Sequence, residues 1–589
     1  MRHAKIVCTL GPASADRDTI QGLADAGMAV ARLNTSHGST AERRTRIDHV
    51  RAVDAESTEP VAVLLDLAGP EIRTGAHDRP ITLSADDTVA LSPTDQTTEE
   101  HIEISHSLAG IDAGQRILLD DGRVELIATD TAGDTITATV NTGGTLQSNR
   151  SVIVPGVDLA LPFVSEADHA ELALAASKSV DFVAASFVSD ATDLFQISDI
   201  LQDEGCADIA LIAKIERAAA LENLTEIIDA ADAVMIARGD LGVECPLEDV
   251  PLIQKRVITQ CQAHGVPVIT ATDMLDSMID ATRPTRAEAS DVANAVLDGT
   301  DALMLSGETA IGGDPLSAVE TMDRIIRRVE SSGEYANTRE QRIPAADQTI
   351  TTDALTRSAR YLARDVGASA IVVASESGYT ARKAAKFRPG VPIVATTPID
   401  HVRRRLTLSW GVHPRRVPPA GDVSDVLANA IEAALDTPVA ESGDTIVILS
   451  GMMTDLQGTD ATNTLKVHVV AETLSTGRAV VPGLAAGPFQ RYEQTSPASI
   501  PENAVLYLAG DSDTEFQDDL GSVSAILAAE PGLTGYPAII ARELDIPMIS
   551  GCIIPESVRD ETILTVDGER GVVYRGDVTA ESQYHVTDT

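Results

Sequence analysis

Residues 210–242 read ALIAKIERAAALENLTEIIDAADAVMIARGDLG, and this stretch decides the fold. Two apolar runs, 210–215 and 233–237, are each too short for a helix and each stops abruptly at charge, as buried strands do. The segment between them, 219–228, has helical apolar spacing, so the unit is predicted as strand, helix, strand with parallel strands. Lys214 and Glu216 fall at the end of the first run, and Arg238, Gly239 and Asp240 follow the second. In parallel α/β architectures this is the edge where ligands and chemistry collect. One lysine and two carboxylates there can hold a divalent cation beside an anionic substrate. Hard cations take carboxylate oxygens, and an ammonium supplies a point charge for phosphate.

The same signature recurs on both sides. Residues 5–10 end at Gly11-Pro12-Ala13-Ser14, 28–33 end at Asn34-Thr35-Ser36-His37-Gly38, and 61–65 end at Asp66. Farther along, 182–185 end at Ser186, 266–271 at Thr272, and 302–305 at Ser306-Gly307-Glu308. With amphipathic stretches such as 20–26 and 287–297 between them, the count is eight strand–helix units, which predicts a TIM (β/α)8 barrel. From about residue 70 to 155 the pattern changes to alternation with Thr, Val and Gly, as in Asp134-Thr135-Ile136-Thr137-Ala138-Thr139-Val140. A small β domain inserted after the third strand is expected there, standing at the catalytic edge as a lid.

Past Gly333, a polar segment (334–352) leads into a second α/β region with strands expected at 370–374, 391–396 and 445–449. Its loop Ser375-Glu376-Ser377-Gly378-Tyr379-Thr380 offers hydroxyls and amides ahead of a helix, which suits a bound phosphate or a plain Ser/Thr helix cap. Composition shifts again near Leu474, and the run 532–547 reads as a turn, a helix and a strand with no catalytic cluster of its own. The expected domains are 1–69 with 156–335, 70–155, 345–472 and 475–585.

A chain of 589 residues exceeds one hydrophobic core. No apolar run approaches the roughly 18 residues of a membrane span, and the first eleven residues lack a signal-peptide core, so a soluble cytoplasmic protein is expected. The five cysteines lie without C-x-x-C spacing, which predicts buried thiols with no metal or disulfide role. The formal charge is −44, and only seven of the 45 basic residues are lysine. Self-repulsion on that scale opposes compaction in dilute salt, whereas molar salt shortens the Debye length to about 3 Å. Acidity with lysine depletion therefore points to a salt-rich interior, and nucleic acid and anionic membranes are poor partners.

Several long motifs occur in one family's order: Lys5-Ile6-Val7-Cys8-Thr9-Leu10-Gly11-Pro12-Ala13-Ser14, Arg32-Leu33-Asn34-Thr35-Ser36-His37-Gly38, Gly69-Pro70-Glu71-Ile72-Arg73-Thr74-Gly75, Ile236-Ala237-Arg238-Gly239-Asp240-Leu241-Gly242 and Met304-Leu305-Ser306-Gly307-Glu308-Thr309. Along nearly the first 470 positions the chain resembles pyruvate kinase. The resemblance implies phosphoryl transfer from phosphoenolpyruvate to ADP, then protonation of the enolate to pyruvate. It implies that Glu216 and Asp240 bind Mg²⁺ (or Mn²⁺), and that Lys214 neutralises the transferring phosphoryl group. Asn34, Ser36, Asp66 and the Leu67 carbonyl would hold K⁺. Arg32 and Arg73 would contact phosphates, with His37 nearer the nucleotide (ADP or ATP). The amides of Gly239 and Asp240 would receive the substrate carboxylate, and Thr272 lies where the enolate is protonated. Ser375, Ser377, Gly378 and Thr380 correspond to an effector loop for phosphorylated ligands, and homotetramers are the family habit. Taken one at a time these residues have plainer roles: Asp66 and Glu308 as partners of Arg, Thr272 and Ser36 as caps, His37 as a structural histidine.

Departures from the family pattern are Leu67-Ala68 in place of Thr-Lys, Asp273 in place of Gln, and no lysine near Ile311. Glu71 stands where K⁺-independent members commonly carry Lys, so K⁺ dependence is expected. The final segment resembles the swivelling domain of phosphoenolpyruvate-utilising enzymes, but Thr534-Gly535-Tyr536-Pro537-Ala538 puts Tyr536 at the phosphohistidine position. Two other functions compete: a phosphoenolpyruvate synthase or dikinase-like phosphotransferase, disfavoured by the missing histidine, and a non-catalytic metabolite sensor, disfavoured by the intact Lys214, Glu216, Asp240 and Thr272.

Overall fold

Eight short strands, β1 (Lys5–Thr9), β2 (Val30–Asn34), β3 (Ala62–Asp66), β4 (Phe182–Ala185), β5 (Ala210–Ile215), β6 (Ala233–Ala237), β7 (Val268–Ala271) and β8 (Ala302–Leu305), form a closed barrel. They pair in parallel and in chain order, and Lys5 opposite Ala302 closes the ring between β1 and β8. This is a computed structural model, and it describes residues 2–93, 97–157, 159, 161–441, 443–451, 462–492, 500–510 and 520–579. The strands are nearly continuous apolar runs because both faces are covered. Val7, Val30, Leu64, Ala184, Ile212 and Met235 fill the interior. The alternate residues, such as Ala31, Val63, Val183, Ala213 and Val234, pack outward against the helices.

That two-residue alternation also sets the chemistry. Continuing the inward rows of β1 to β5 one step toward the C-terminal rim brings up Thr9, Arg32, Asp66, Ser186 and Lys214 in turn. Five adjacent strands thus cap an apolar barrel with one polar layer.

The crossover between β5 and β6 differs from the single helix expected over 219–228. It is two short helices, Ala218–Glu222 and Leu224–Ala230, broken at Asn223. The Asn223 side chain donates to the Ser189 carbonyl (2.9 Å), and this tertiary bond holds the break where apolar spacing alone reads as continuous. The polar segment after Gly333 likewise carries a helix, Gly333–Gln341. Ser332 caps it, and its buried Tyr335 accepts a hydrogen bond from the Trp410 indole (3.1 Å).

The insert after β3 has seven strands in one sheet and a two-stranded ribbon, Ile81–Leu83 with Gly144–Leu146, around one apolar core. A bridge between Thr74 and Ile104 joins the two edges of the sheet, so the insert closes on itself as a small β-barrel.

The chain divides into two compact units. The first holds the barrel, the insert and residues 375–388 and 395–416; the second holds 354–374, 389–394 and 417–589. In the second, Ala370–Ala374 pairs in parallel with Thr445–Ser450, which pairs antiparallel with Thr464–Val469. An eight-stranded sheet follows between residues 473 and 575, with the helix Tyr536–Leu544 beside it and Phe489, Val505, Leu527 and Val566 in its core. All five cysteines are free thiols, but only Cys8, Cys261 and Cys552 are buried as expected; Cys206 and Cys245 are partly exposed. No described helix is long and apolar enough to cross a membrane.

Candidate active site

The polar layer is wired together across the barrel mouth. Thr9 on β1 donates to the Leu305 carbonyl (2.9 Å) and accepts from Arg32 Nη1 (2.9 Å). Arg32 Nε pairs with Asp66 Oδ2 at 2.6 Å. Asp66 Oδ1 is buried without a hydrogen bond of good geometry, 3.3 Å from Lys214 Nζ. Lys214 Nζ also reaches Glu216 Oε1 (2.8 Å) and donates to Ser186 Oγ (2.6 Å). Ser186 in turn donates to the Leu67 carbonyl (2.7 Å), and the Phe187 amide donates to Glu216 Oε2 (2.6 Å).

Burial shapes the charges. Desolvation alone would lower the Lys214 pKa, but the carboxylates of Asp66 and Glu216 overcome it, so its pKa rises and it stays an ammonium. Burial also opposes ionisation of Asp66, yet Lys214 and then Arg32 hold that carboxyl below its ordinary range. Asp240 has no comparable partner: burial and then the neighbouring Glu216 push it up to about 7, with Lys214 pulling the other way. A carboxylate this costly to ionise wants a cation. Among the described residues no group of three or more His, Cys, Asp or Glu forms a metal cage by itself. Two carboxylates with positions left for substrate oxygens suit a hard divalent ion such as Mg²⁺.

Gly239 and Asp240 open the short helix Arg238–Glu244, where first-turn amides have no intrahelical partner. Arg238 points away from the mouth: it donates to the carbonyls of Ala271 (3.0 Å) and Thr272 (2.6 Å) and pairs with Asp291 (2.6 Å). This clamp holds Thr272 at φ +73°, a left-handed conformation uncommon outside glycine. Gly239 is required by the close approach, since a Cβ there would lie 2.8 Å from Thr272 Cγ2.

The remaining predicted residues ring this centre. Asn34 Oδ1 accepts from the Ser36 amide (3.0 Å), and the oxygens of Asn34, Ser36, Asp66 and Leu67 make an all-oxygen set suited to a monovalent cation. His37 is exposed, and partial desolvation and then Arg73 lower its pKa. Arg73, in the insert, pairs with Glu71 (2.6 Å) and donates to the Asn149 carbonyl (3.1 Å). An open cleft of about 740 Å³ runs between insert and barrel, with Glu71, Asp121, Phe187, Arg217, Asp240 and Glu244 on its walls. Glu308 is buried and, among the described residues, pairs with no arginine; it accepts from the amides of Leu275 (3.0 Å) and Ser306 (2.6 Å).

The loop 375–380 stands apart from this centre. Gly378 has φ +74°, its amide donates to Ser375 Oγ (3.1 Å), and the Tyr379 amide donates to Ser377 Oγ (3.4 Å). Two serine hydroxyls therefore accept from amides at the start of this helix, and each keeps its own proton to donate.

Three contributors escaped the reading of the motifs: Ser186, the Phe187 amide and Thr9. The signal for Ser186 was available, because it is the next inward position after Phe182 and Ala184. A closed eight-stranded parallel barrel with a lysine, an arginine and carboxylates at its C-terminal rim defines a class of barrel enzymes acting on anionic substrates with cations.

Residues 1–319 match the description "Pyruvate kinase, barrel domain", 353–468 "Pyruvate kinase, alpha/beta domain", and 500–571 "PEP-utilising enzyme, mobile domain". The pyruvate kinase of Geobacillus stearothermophilus is 40% identical over 584 residues, 98% of this chain and 99% of the relative. That of Bacillus licheniformis is 40% identical over 585 residues and that of Staphylococcus aureus strain USA300 is 37% identical over 584, with the same shares of both chains covered. The chain belongs to the pyruvate kinase family.

Proposed function

We infer that the chain transfers the phosphoryl group of phosphoenolpyruvate to ADP and releases pyruvate and ATP. The observation that carries this reading is Lys214: a buried ammonium held between Asp66, Glu216 and Ser186, beside an Asp240 whose charge is uncompensated. The Nζ is placed to neutralise the phosphoryl group in flight and then the enolate oxygen, a preorganised stabilisation that costs no rearrangement during transfer. The first-turn amides at Gly239 and Asp240 suit the substrate carboxylate. Thr272, whose carbonyl Arg238 holds, would supply the hydroxyl for protonation of the enolate. Arg32 and Arg73 face phosphates, with His37 on the nucleotide side.

Glu216 and Asp240 would hold Mg²⁺ (or Mn²⁺), which when bound supplies charge neutralisation between the two phosphate-bearing substrates. Asn34, Ser36, Asp66 and the Leu67 carbonyl would hold K⁺; the buried Asp66 Oδ1 without a hydrogen bond supports this. A phosphorylated effector at Ser375, Ser377, Gly378 and Thr380, a tetrameric assembly and a cytoplasmic location belong to the same reading. In molar KCl with Mg²⁺ and ADP, a coupled pyruvate assay should show turnover of phosphoenolpyruvate. Absence of turnover in folded protein would refute the reading.

A further inference from the structure

The hydroxyl of Ser186 sits between two sites that the proposed mechanism treats as separate. Lysine ammonium can only donate and a carbonyl can only accept, so the direction of the chain is fixed. Lys214 Nζ donates to Ser186 Oγ (2.6 Å), and the single Ser186 proton goes to the Leu67 carbonyl (2.7 Å). Leu67 O has a second lone pair, and it is one of the four oxygens proposed for the monovalent cation.

The corner carrying Ser186 has little freedom. Ser186 is 3% exposed. The next residue, Phe187, has φ +59°, and its amide holds Glu216 Oε2. Gly69 lies so close that a Cβ there would stand 3.0 Å from both Ser186 Cβ and Phe187 Cδ2. The Leu67 amide is also tied to β4, through the Ala184 carbonyl (3.0 Å). Ser186 is therefore set in a tightly packed corner directly beside the peptide that orients Glu216.

We propose that Ser186 is a positioning residue that couples the monovalent-cation site to Lys214, orienting the Leu67 carbonyl toward the cation and Nζ toward the transferring group. This rests on the K⁺ reading above. The coupling is one of position: the Ser186 bond fixes where Leu67 O points, and a cation seated on that oxygen in turn keeps Ser186 Oγ where it accepts from Lys214. Coupling of this kind is reciprocal.

The test uses the full-length protein without substrates. Its thermal midpoint is followed as K⁺ replaces tetramethylammonium at constant total ionic strength. In the unsubstituted protein, K⁺ should raise the midpoint with a defined half-effect concentration. In Ser186→Ala that concentration should rise about tenfold, the factor that one lost hydrogen bond carries. Ser186→Cys, nearly the same size and a weaker donor, should fall between them and guards against a folding defect in the alanine variant. In turnover, Ser186→Ala should lower kcat at saturating substrates with little change in the KM for phosphoenolpyruvate. An unchanged K⁺ half-effect in both variants, whatever happens to turnover, overturns the coupling and leaves the cation site standing. Equal behaviour of the unsubstituted protein in K⁺ and tetramethylammonium overturns the cation site and the coupling with it.

Discussion

Lys214 keeps its charge at a depth that ordinarily removes it, and Asp240, just past the neighbouring strand β6, struggles to keep its own. The difference is one of partners: two carboxylates face the ammonium, whereas Asp240 meets burial and Glu216. A pH signature follows. The folded pKa of Asp240, about 7, lies above the roughly 4 of an unfolded aspartate, so its proton is bound more tightly in the folded state. Without a divalent ion, the stability from this group is present below about pH 4 and is lost as pH rises toward 7. Mg²⁺ replaces the proton, so it should raise the thermal midpoint markedly at pH 8 and little at pH 5.5. Equal Mg²⁺ shifts at the two values would contradict the assignment of Asp240. At this scale the motifs made the charged residues legible. Ser186 and Thr9 were not, because a hydroxyl at a strand end announces no chemistry until its neighbours' inward rows are aligned.

The barrel strands were readable as elements because burial on both faces leaves an apolar signature that needs no partner to be seen. Elements stopped or started by tertiary bonds were less so: the break at Asn223 depends on Ser189, and the helix Gly333–Gln341 on a Tyr335 that meets Trp410. Another invisible feature is the clamp below the barrel. Within the first unit, Arg404 from the helix Asp400–Arg405 pairs with the fully buried Asp181 (2.8 Å), just before β4, and Arg403 pairs with Asp54 (3.0 Å). Asp181 also accepts the Val63 amide of β3 (2.8 Å) and Arg51 (2.7 Å). The lower ends of the two strands that carry Asp66 and Ser186 are therefore held by this helix. Arg404→Ala should cost about 3 kcal/mol, the low end for breaking a buried pair, because Arg51 remains. Denaturant unfolding in molar KCl measures it, and a loss under 1 kcal/mol would show the clamp to be idle.

Over the whole molecule, a charge of −44 with so little lysine predicts that folding depends on salt. Circular dichroism against KCl should show loss of structure at low ionic strength and recovery in the molar range; a fold fully stable in dilute buffer would contradict the halophilic reading. The last domain has its own apolar core and matches the mobile-domain family, and the sequence reading expects it to lack the phosphohistidine. Removal of residues 475–589 should accordingly leave measurable turnover, and complete loss in a still-folded truncation would assign that domain a catalytic part.

The central claim is that Lys214 carries phosphoryl transfer between two small molecules, with no phosphate resting on the protein. Phosphorus NMR of the unsubstituted protein and Lys214→Met, with phosphoenolpyruvate, ADP and Mg²⁺ in molar KCl, tests it directly. The unsubstituted protein should exchange the phosphoenolpyruvate resonance for those of ATP, and Lys214→Met, folded by circular dichroism, should leave the spectrum unchanged. Conversion by Lys214→Met at a comparable rate, or a phosphoprotein resonance in either sample, would contradict the account.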